Sequence, residues 1–458
     1  MQDLSQLEHL FVLMLENRSF DHTLGALALE DRREKAPIDG IDLSKRRCNQ
    51  DAAGRFYEVA KLPPDWSRSF PADPPHGRGS VAAQIETKTG IPMQGFVKTY
   101  EQKYADNPAY LARKASVLGY LDRNDLPVSY FLADHFATCQ AWFCPIPTGT
   151  IPNRLYAIAG HSAGIKQNPK PGKYAFGIPI KTVFEQFDDW VCYTDSLPVL
   201  SLIRGLRLPL LRGKMRRLSR LAEDLRLAEQ GKHKLPKLIW IEPSYYWFEG
   251  SMADALFPEA NDDHPPSDTL RGQLLLASLY RTLTAARRTW SRSAWLTTYD
   301  EHGGFYDHVT PPPIWPDEQV KTPDQFKQRG PRVPALLVSP FVGEASVHGN
   351  TARGEIYDHC STLKFLGEWL KLPSLSPRIS SKRIRSLRAM MNDSARTTTP
   401  PLPAGLWEEL NARLSAQALS TKGSRNEDKA EDMVSLSRSL RTELESQHPD
   451  EFKAWRHG

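Results

Sequence analysis

Leu10-Phe-Val-Leu-Met-Leu-Glu16-Asn17-Arg18-Ser19-Phe20-Asp21-His22 is the stretch on which the reading of this chain turns. An apolar run of strand length, too short for an ordinary helix, ends abruptly in a carboxylate and an amide. It reads as a buried parallel strand that carries polar groups at its C-terminal edge. Open α/β sheets bind ligands at that edge. Taken alone, the pattern also fits a core strand followed by a polar loop, with Glu16 and Asn17 capping the next helix.

The same pattern recurs. Trp190–Tyr193 runs into Thr194-Asp195, Lys237–Ile241 into Glu242-Pro243, Ala294–Tyr299 into Asp300-Glu301-His302-Gly303-Gly304, and Val333–Val338 into Ser339-Pro340. If these strands are parallel, their polar ends meet on one rim despite their separation in sequence. Helix-period segments lie between them, so the expected fold is α/β, a doubly wound and mostly parallel sheet flanked by helices.

At 458 residues, with 40% hydrophobic and 25% charged residues, the chain is long enough for one large α/β domain with insertions, or for two domains. A net charge of +5 argues only weakly for an acidic partner and gives no reason to expect nucleic-acid binding. The five cysteines are odd in number and scattered. Free thiols are expected, not a disulfide framework. No signal-peptide pattern precedes the first strand, and no apolar run approaches bilayer-spanning length. The expectation is a chain made in the cytoplasm, with any export by a route that needs no N-terminal signal.

Residues 23–75 are rich in Pro and charge and read as a long excursion above the first strand. His76 closes it, and on its own is as readily a surface loop histidine. Pro147-Thr148-Gly149-Thr150 sets up a tight turn before a helix, which can present Thr150 with backbone N–H groups behind it or serve only as a cap. Gly160-His161-Ser162-Ala163-Gly164 matches the G-x-S-x-G elbow of serine hydrolases, yet the residues after it read as loop where an elbow needs a helix. Residues 201–221 carry seven Arg and Lys residues among leucines and no acidic residue. They are read as a helix whose basic face is either solvated or laid on an anionic lipid surface. His264 lies on a polar loop before a helix from Leu270 to Ala286, capped by Ser267 or Asp268. Tyr299–His308 is the densest ionisable run, and its adjacent carboxylates are costly unless a cation or hydrogen bonds neutralise them. Residues 397–458, joined through a Pro-rich linker, read as a helical appendage, mobile at Lys422–Glu431 and without catalytic content.

Taken together, Glu16–His22, Thr150–Arg154, Asp263–Asp268, Tyr299–Val309 and Tyr357–His359 resemble the bacterial phosphoesterase family of phosphatidylcholine-type phospholipases C and related acid phosphatases. The resemblance spans about residues 8–373 and implies an alkaline-phosphatase-like fold, with a catalytic domain at 1–396 followed by the 397–458 extension. It makes Thr150 the nucleophile that takes the phosphoryl group. Glu16, Asn17, Asp300 and Glu301 become ligands of a divalent metal that Thr150 also touches, with Asn17 counted among the catalytic groups. The same resemblance sets His76 and His264 around the phosphate or leaving group, and Asn153, Arg154, His302 and His359 on the substrate side. Pro147-Thr148-Gly149 departs from the Gly-Pro common in the family, which leaves Thr148 as a second hydroxyl. A threonine hydroxyl is a poor nucleophile at neutral pH, and a divalent cation beside it favours ionisation. Oxygen-rich ligation suits calcium, magnesium or manganese and is compatible with zinc.

The implied activity is phospholipase C hydrolysis of the glycerol-side P–O bond through a phosphothreonine. The alternatives are a broad-specificity phosphomonoesterase using the same site, a Ser162 lipase or esterase, and a non-enzymatic lipid-binding protein using the 201–221 face. The expected partners are a phospholipid or other phosphoester and a membrane surface. As a hypothesis, a secretion machine delivers the chain as an antibacterial effector, with an immunity partner.

Overall fold

The opening run forms strand β1, His9–Leu15, and from Leu10 onward it is almost wholly buried, as a strand covered on both faces requires. The computed structural model describes residues 6–30, 37–45, 47–67, 70, 72–86, 92–170, 173–174, 176–245, 260–319, 326–420 and 431–457. Among these, β1 belongs to an eight-stranded sheet. The other members are β2 Ala137–Cys139, β3 Trp190–Tyr193, β4 Met215–Arg216, β5 Leu238–Ile241, β6 Ser293–Tyr299, β7 Ala335–Val338 and β8 Val347–His348. Their spatial order is β8-β2-β7-β6-β1-β5-β3-β4. β1 is central and pairs in parallel with both β5 and β6, Leu10 lying opposite Leu238 and Ala294. The parallel order continues through β3 and β4.

One predicted strand runs the other way. β7 is antiparallel to β6 and to β2, so Ser339 leaves the sheet at the opposite edge, where its hydroxyl donates to Ser293 O at 2.7 Å. Buried apolar strands look alike in either direction, because hydrophobicity reports burial and not polarity of the chain. The ends of β1, β5 and β6 do share one rim, and the expected α/β architecture holds.

Helices α1 Pro127–His135, α2 Thr150–Ala159, α3 Thr269–Ala285 and α4 Cys360–Leu370 join the core. Asp268, not Ser267, caps α3 by accepting from Leu270 N. α2 stops at Gly160, whose positive φ of 75° ends the helix in a left-handed turn. The excursion over residues 23–75 is less irregular than its composition suggests, containing a two-stranded hairpin of Cys48–Gln50 with Phe56–Glu58.

Residues 201–221 do not form the single helix expected of them. They fold as short turns interrupted by β4, and most of their charge is satisfied internally. Arg207 pairs with Glu443, Arg212 with Glu451, Lys214 with Asp188 and Arg216 with Asp224. Two of those partners come from C-terminal helices, α6 Glu431–Gln447 and α7 Pro449–His457. Four of the seven basic side chains are thus paired with acids. The preceding helix α5, Leu406–Ser420, packs on α3, and Leu410, Leu440, Leu444 and Phe452 of the extension are buried in the common core. Its linker is tied down as well, with Trp290 Nε1 donating to Thr399 Oγ1 at 2.8 Å. Residues 421–430, most of the stretch whose composition suggested mobility, lie outside the described residues. All five cysteines are free. No helix among the described residues is long and apolar enough to cross a membrane.

Candidate active site

Where β1 ends, Asn17 takes a left-handed backbone conformation, φ 57°, which asparagine tolerates better than most residues. This turn aims its backbone N–H at the end of β6, donating to Asp300 Oδ1 at 3.1 Å. The same oxygen accepts from Glu301 N at 2.7 Å, and Glu301 O accepts from Arg18 N. Gly303, at φ +63°, is required here because a Cβ would lie 2.0 Å from Asn17 O. Two strand ends are thereby locked together, with Glu16, Asn17, Asp300 and Glu301 all completely buried.

The carboxylates crowd one another. Glu16 is held well above the ordinary carboxylate range by burial, with Asp300 adding to the effect and Arg154 opposing it. Burial pushes Glu301 up to about 8, while His76 pulls it down. Glu16 Oε2, Asn17 Oδ1 and Glu301 Oε1 are buried without a hydrogen-bond partner. Such orphans are expensive unless something else meets them. All three are oxygens of the donor type that a hard divalent cation takes.

Helix α2 rises over this rim from Thr150. Residues four apart share a helix face, and Arg154, one turn after Thr150, reaches down to the carboxylates. Its guanidinium lies 2.7 Å from Glu16 Oε1, 3.4 Å from Asp300 Oδ2 and 3.6 Å from Glu242 Oε2. It also donates to Tyr245 OH, Met14 O and Leu15 O. These bonds place Arg154 beneath the rim, as a brace. Asn153 is likewise engaged, accepting from Ile146 N and donating to Thr148 O and Gly149 O, so it pins the turn that presents Thr150. Thr148 donates its hydroxyl to Lys166 O, which leaves Thr150 at the helix start, where the dipole favours an anion.

The other side of the site is imidazole. His76 Nε2 is 3.4 Å from Asn17 Nδ2, and its ring meets that of His264 at 6.1 Å between centroids. A Cβ on Gly149 would sit 3.6 Å from His76 Cδ2, so the turn before Thr150 abuts His76. Asp73 completes the group, its Oδ1 3.4 Å from His76 Nδ1, within a cluster whose ligand-type atoms lie within 4.8 Å of one another. Burial opposes its ionisation, yet Lys103 and the two imidazoles bring Asp73 down to about 2. Burial lowers His264 to about 4.

His302 and His359 sit deeper. His302 Nε2 lies 2.9 Å from Gln84 Oε1, and Gln84 donates to Pro75 O beside His76. Both ring nitrogens of His359 are used, Nδ1 accepting from Trp142 Nε1 at 3.0 Å and Nε2 donating to Asp300 O at 2.7 Å. Asp195, at the end of β3, accepts from Leu218 N in the neighbouring turn instead. A second acidic group, Asp21, Asp307 and His308, is neutralised by Arg332. Ser162 follows the end of α2, not a strand, so the elbow pattern lacks its structural context. Glu242 shares the strand-end pattern that flagged Glu16, and Asp73 precedes His76 by three residues. Trp142, Gln84 and Tyr245 carry no such signal in the sequence.

The Phosphoesterase family matches residues 7–373. The chain is 30% identical to "Non-specific phospholipase C4" of Arabidopsis thaliana, with 88% of this chain and 76% of that protein covered. It is 33% identical to "Non-specific phospholipase C3" of the same plant, over 75% and 65% respectively. "Phospholipase C A" of Mycobacterium tuberculosis (strain CDC 1551 / Oshkosh) is 26% identical, over 79% and 72%. Among solved structures, a protein in the alkaline phosphatase superfamily from Vibrio parahaemolyticus is similar at 11% identity and a TM-score of 0.34, over 60% of this chain and 65% of that one.

Proposed function

Because this chain belongs to the phosphoesterase family, and is thereby a phosphoric ester hydrolase, we propose that it is a metal-dependent phospholipase C with Thr150 as nucleophile. The observation that carries the reading is the set of orphaned oxygens on Glu16, Asn17 and Glu301, buried at one rim beneath the helix that Thr150 begins. The names of the relatives support the substrate class.

Glu16, Asn17, Asp300, Glu301 and the Thr150 hydroxyl would hold the divalent cation. When bound, it supplies charge that favours ionisation of the hydroxyl and offsets the negative phosphoryl oxygens. Thr150 Oγ1 forms a bond to phosphorus as the bond from phosphorus to the glycerol oxygen breaks. The N-terminus of α2 backs the anionic group. His76 and His264 face the phosphoryl group and its leaving oxygen, and a proton delivered from this side yields diacylglycerol. Water then cleaves the phosphothreonine and releases the phosphorylated head group. Arg154 keeps Glu16 and Asp300 in place from below.

Hydrolysis of a chromogenic choline phosphodiester should disappear on chelation and in Thr150→Ala, and product analysis on phosphatidylcholine vesicles should show diacylglycerol. Full activity of Thr150→Ala would end the reading. Faster turnover of a soluble phosphomonoester than of either diester would assign the same site to a phosphatase.

A further inference from the structure

His359 cannot serve a substrate without giving up the bonds it already makes. It is 1% exposed, and Trp142 is fully buried. Trp142 stands on the strand Trp142–Phe143 and His359 directly follows the strand Tyr357–Asp358; the two strands pair in parallel with Tyr357 opposite Trp142. This pairing sets the 3.0 Å bond in which the indole N–H donates to His359 Nδ1. An indole can only donate, so Nδ1 must be the acceptor and the ring proton is confined to Nε2. That proton points at Asp300 O, 2.7 Å away. Asp300 O belongs to the peptide between two of the proposed metal ligands. The plane of that peptide decides how the Asp300 and Glu301 side chains leave the backbone.

We propose that Trp142 and His359 are positioning residues for the metal centre, a donor chain that fixes the Asp300–Glu301 peptide and so sets the affinity of the site for its cation. The inference rests on the metal-site reading above. Removing the indole leaves Nδ1 a buried acceptor with no donor, and the ring, anchored at Nε2 alone, can turn about its side-chain bonds and draw the N–H away from Asp300 O. The backbone carbonyl would then be a buried acceptor without its donor, and the peptide would lose the plane that the bond fixes. Outer partners of this kind commonly alter metal affinity by about 10–100-fold.

Side-chain reach provides the discriminating test. A glutamine amide nitrogen extends about as far from the backbone as Nε2 of histidine and can donate to Asp300 O, whereas an asparagine amide stops near the position of Nδ1. Binding of Mn²⁺ is measured by equilibrium dialysis for the full chain, His359→Gln, His359→Asn, Trp142→Phe and Glu301→Gln, each checked for native near-ultraviolet circular dichroism. We expect His359→Asn and Trp142→Phe to bind Mn²⁺ about 10–100-fold more weakly, and His359→Gln to stay within about threefold of the parent. At saturating Mn²⁺ the turnover number of Trp142→Phe should return to within a few-fold of the parent. If His359→Asn does not fold, the Trp142→Phe and His359→Gln pair decides. Unchanged Mn²⁺ affinity in Trp142→Phe, or equal losses in His359→Gln and His359→Asn, would overturn the inference while leaving the metal site intact. A parent protein that takes up no Mn²⁺, or takes it up equally after Glu301→Gln, would overturn the metal-site reading and this inference with it.

Discussion

Arg154→Met removes the one guanidinium that the described residues place among Glu16, Glu242 and Asp300, and its effect should depend on whether a divalent cation is present. The guanidinium is 2.7–3.6 Å from those three carboxylates and its side chain is 3% exposed. Taking away one partner of a buried ion pair costs about 3–5 kcal/mol, because the charge left behind is uncompensated. At about 2.1 cal/mol/K per residue, a chain of 458 residues has an unfolding entropy of roughly 1 kcal/mol/K. The expected fall in Tm is therefore about 3–5 °C in chelator. A bound cation brings positive charge to the same carboxylates, so saturating Mn²⁺ should recover a good part of the loss. Scanning fluorimetry of both proteins, with EDTA and with Mn²⁺, measures all four values. Equal Tm values in EDTA would refute the idea that Arg154 offsets the clustered charge. A deficit that Mn²⁺ leaves untouched would refute the claim that the cation and the guanidinium act on one set of carboxylates.

Gly303→Ala should abolish hydrolysis and weaken Mn²⁺ binding by at least tenfold, since the new Cβ would lie 2.0 Å from Asn17 O at a backbone φ of +63°; wild-type affinity in that variant would contradict the locked-rim geometry. His308 is held above its ordinary pKa by Asp21 and Asp39 in spite of burial, and its hydrogen bond brings Asp39 down to about 2. The raised histidine contributes stability that is full below pH about 6.5 and fades as pH rises through its folded value, while Asp39 contributes above pH about 4 and fades below it. The difference in urea midpoint between the parent and His308→Asn should therefore peak between about pH 4 and 6.5; a difference that is flat from pH 3 to 9 would exclude the linkage. Deleting residues 397–458 uncovers the α3 surface under Leu410 and leaves the buried Arg207 without Glu443. The truncated chain should melt several degrees lower and self-associate on gel filtration, and a monomer of unchanged Tm would show the extension to be dispensable.

The parts legible in the sequence are those for which chain order and space coincide. Glu16 and Asn17 follow β1 directly, and Asp300 and Glu301 follow β6, so recognising two buried strands that pair in parallel is enough to bring four polar groups to one rim. The direction of β7 was not legible, because Leu336 and Leu337 are as buried against an antiparallel neighbour as they would be against a parallel one. The 201–221 stretch misled for a related reason. Its positive charge is local, but two of the four acids that answer it, Glu443 and Glu451, lie more than two hundred residues away, and no periodicity records that.

The same distinction separates polar groups at the rim that keep hydrogen-bonding capacity from those that brace the rim. The resemblance sets Arg154, Asn153, His302 and His359 on the substrate side, beside His76 and His264 around the phosphate or leaving group. Hydrogen-bond capacity divides them. Asn153 and His359 have both polar functions committed to the protein, and Arg154 spreads its donors over two backbone carbonyls, a tyrosine and three carboxylates. A group so committed can fix a site but has little left to offer a ligand. Glu16, Asn17 and Glu301 show the opposite, buried oxygens with nothing to meet them, although each such orphan costs about 1–3 kcal/mol. A chain that supplies so many internal donors around this rim could have supplied more. That these oxygens stay unanswered is best explained by a partner that the polypeptide itself does not contain.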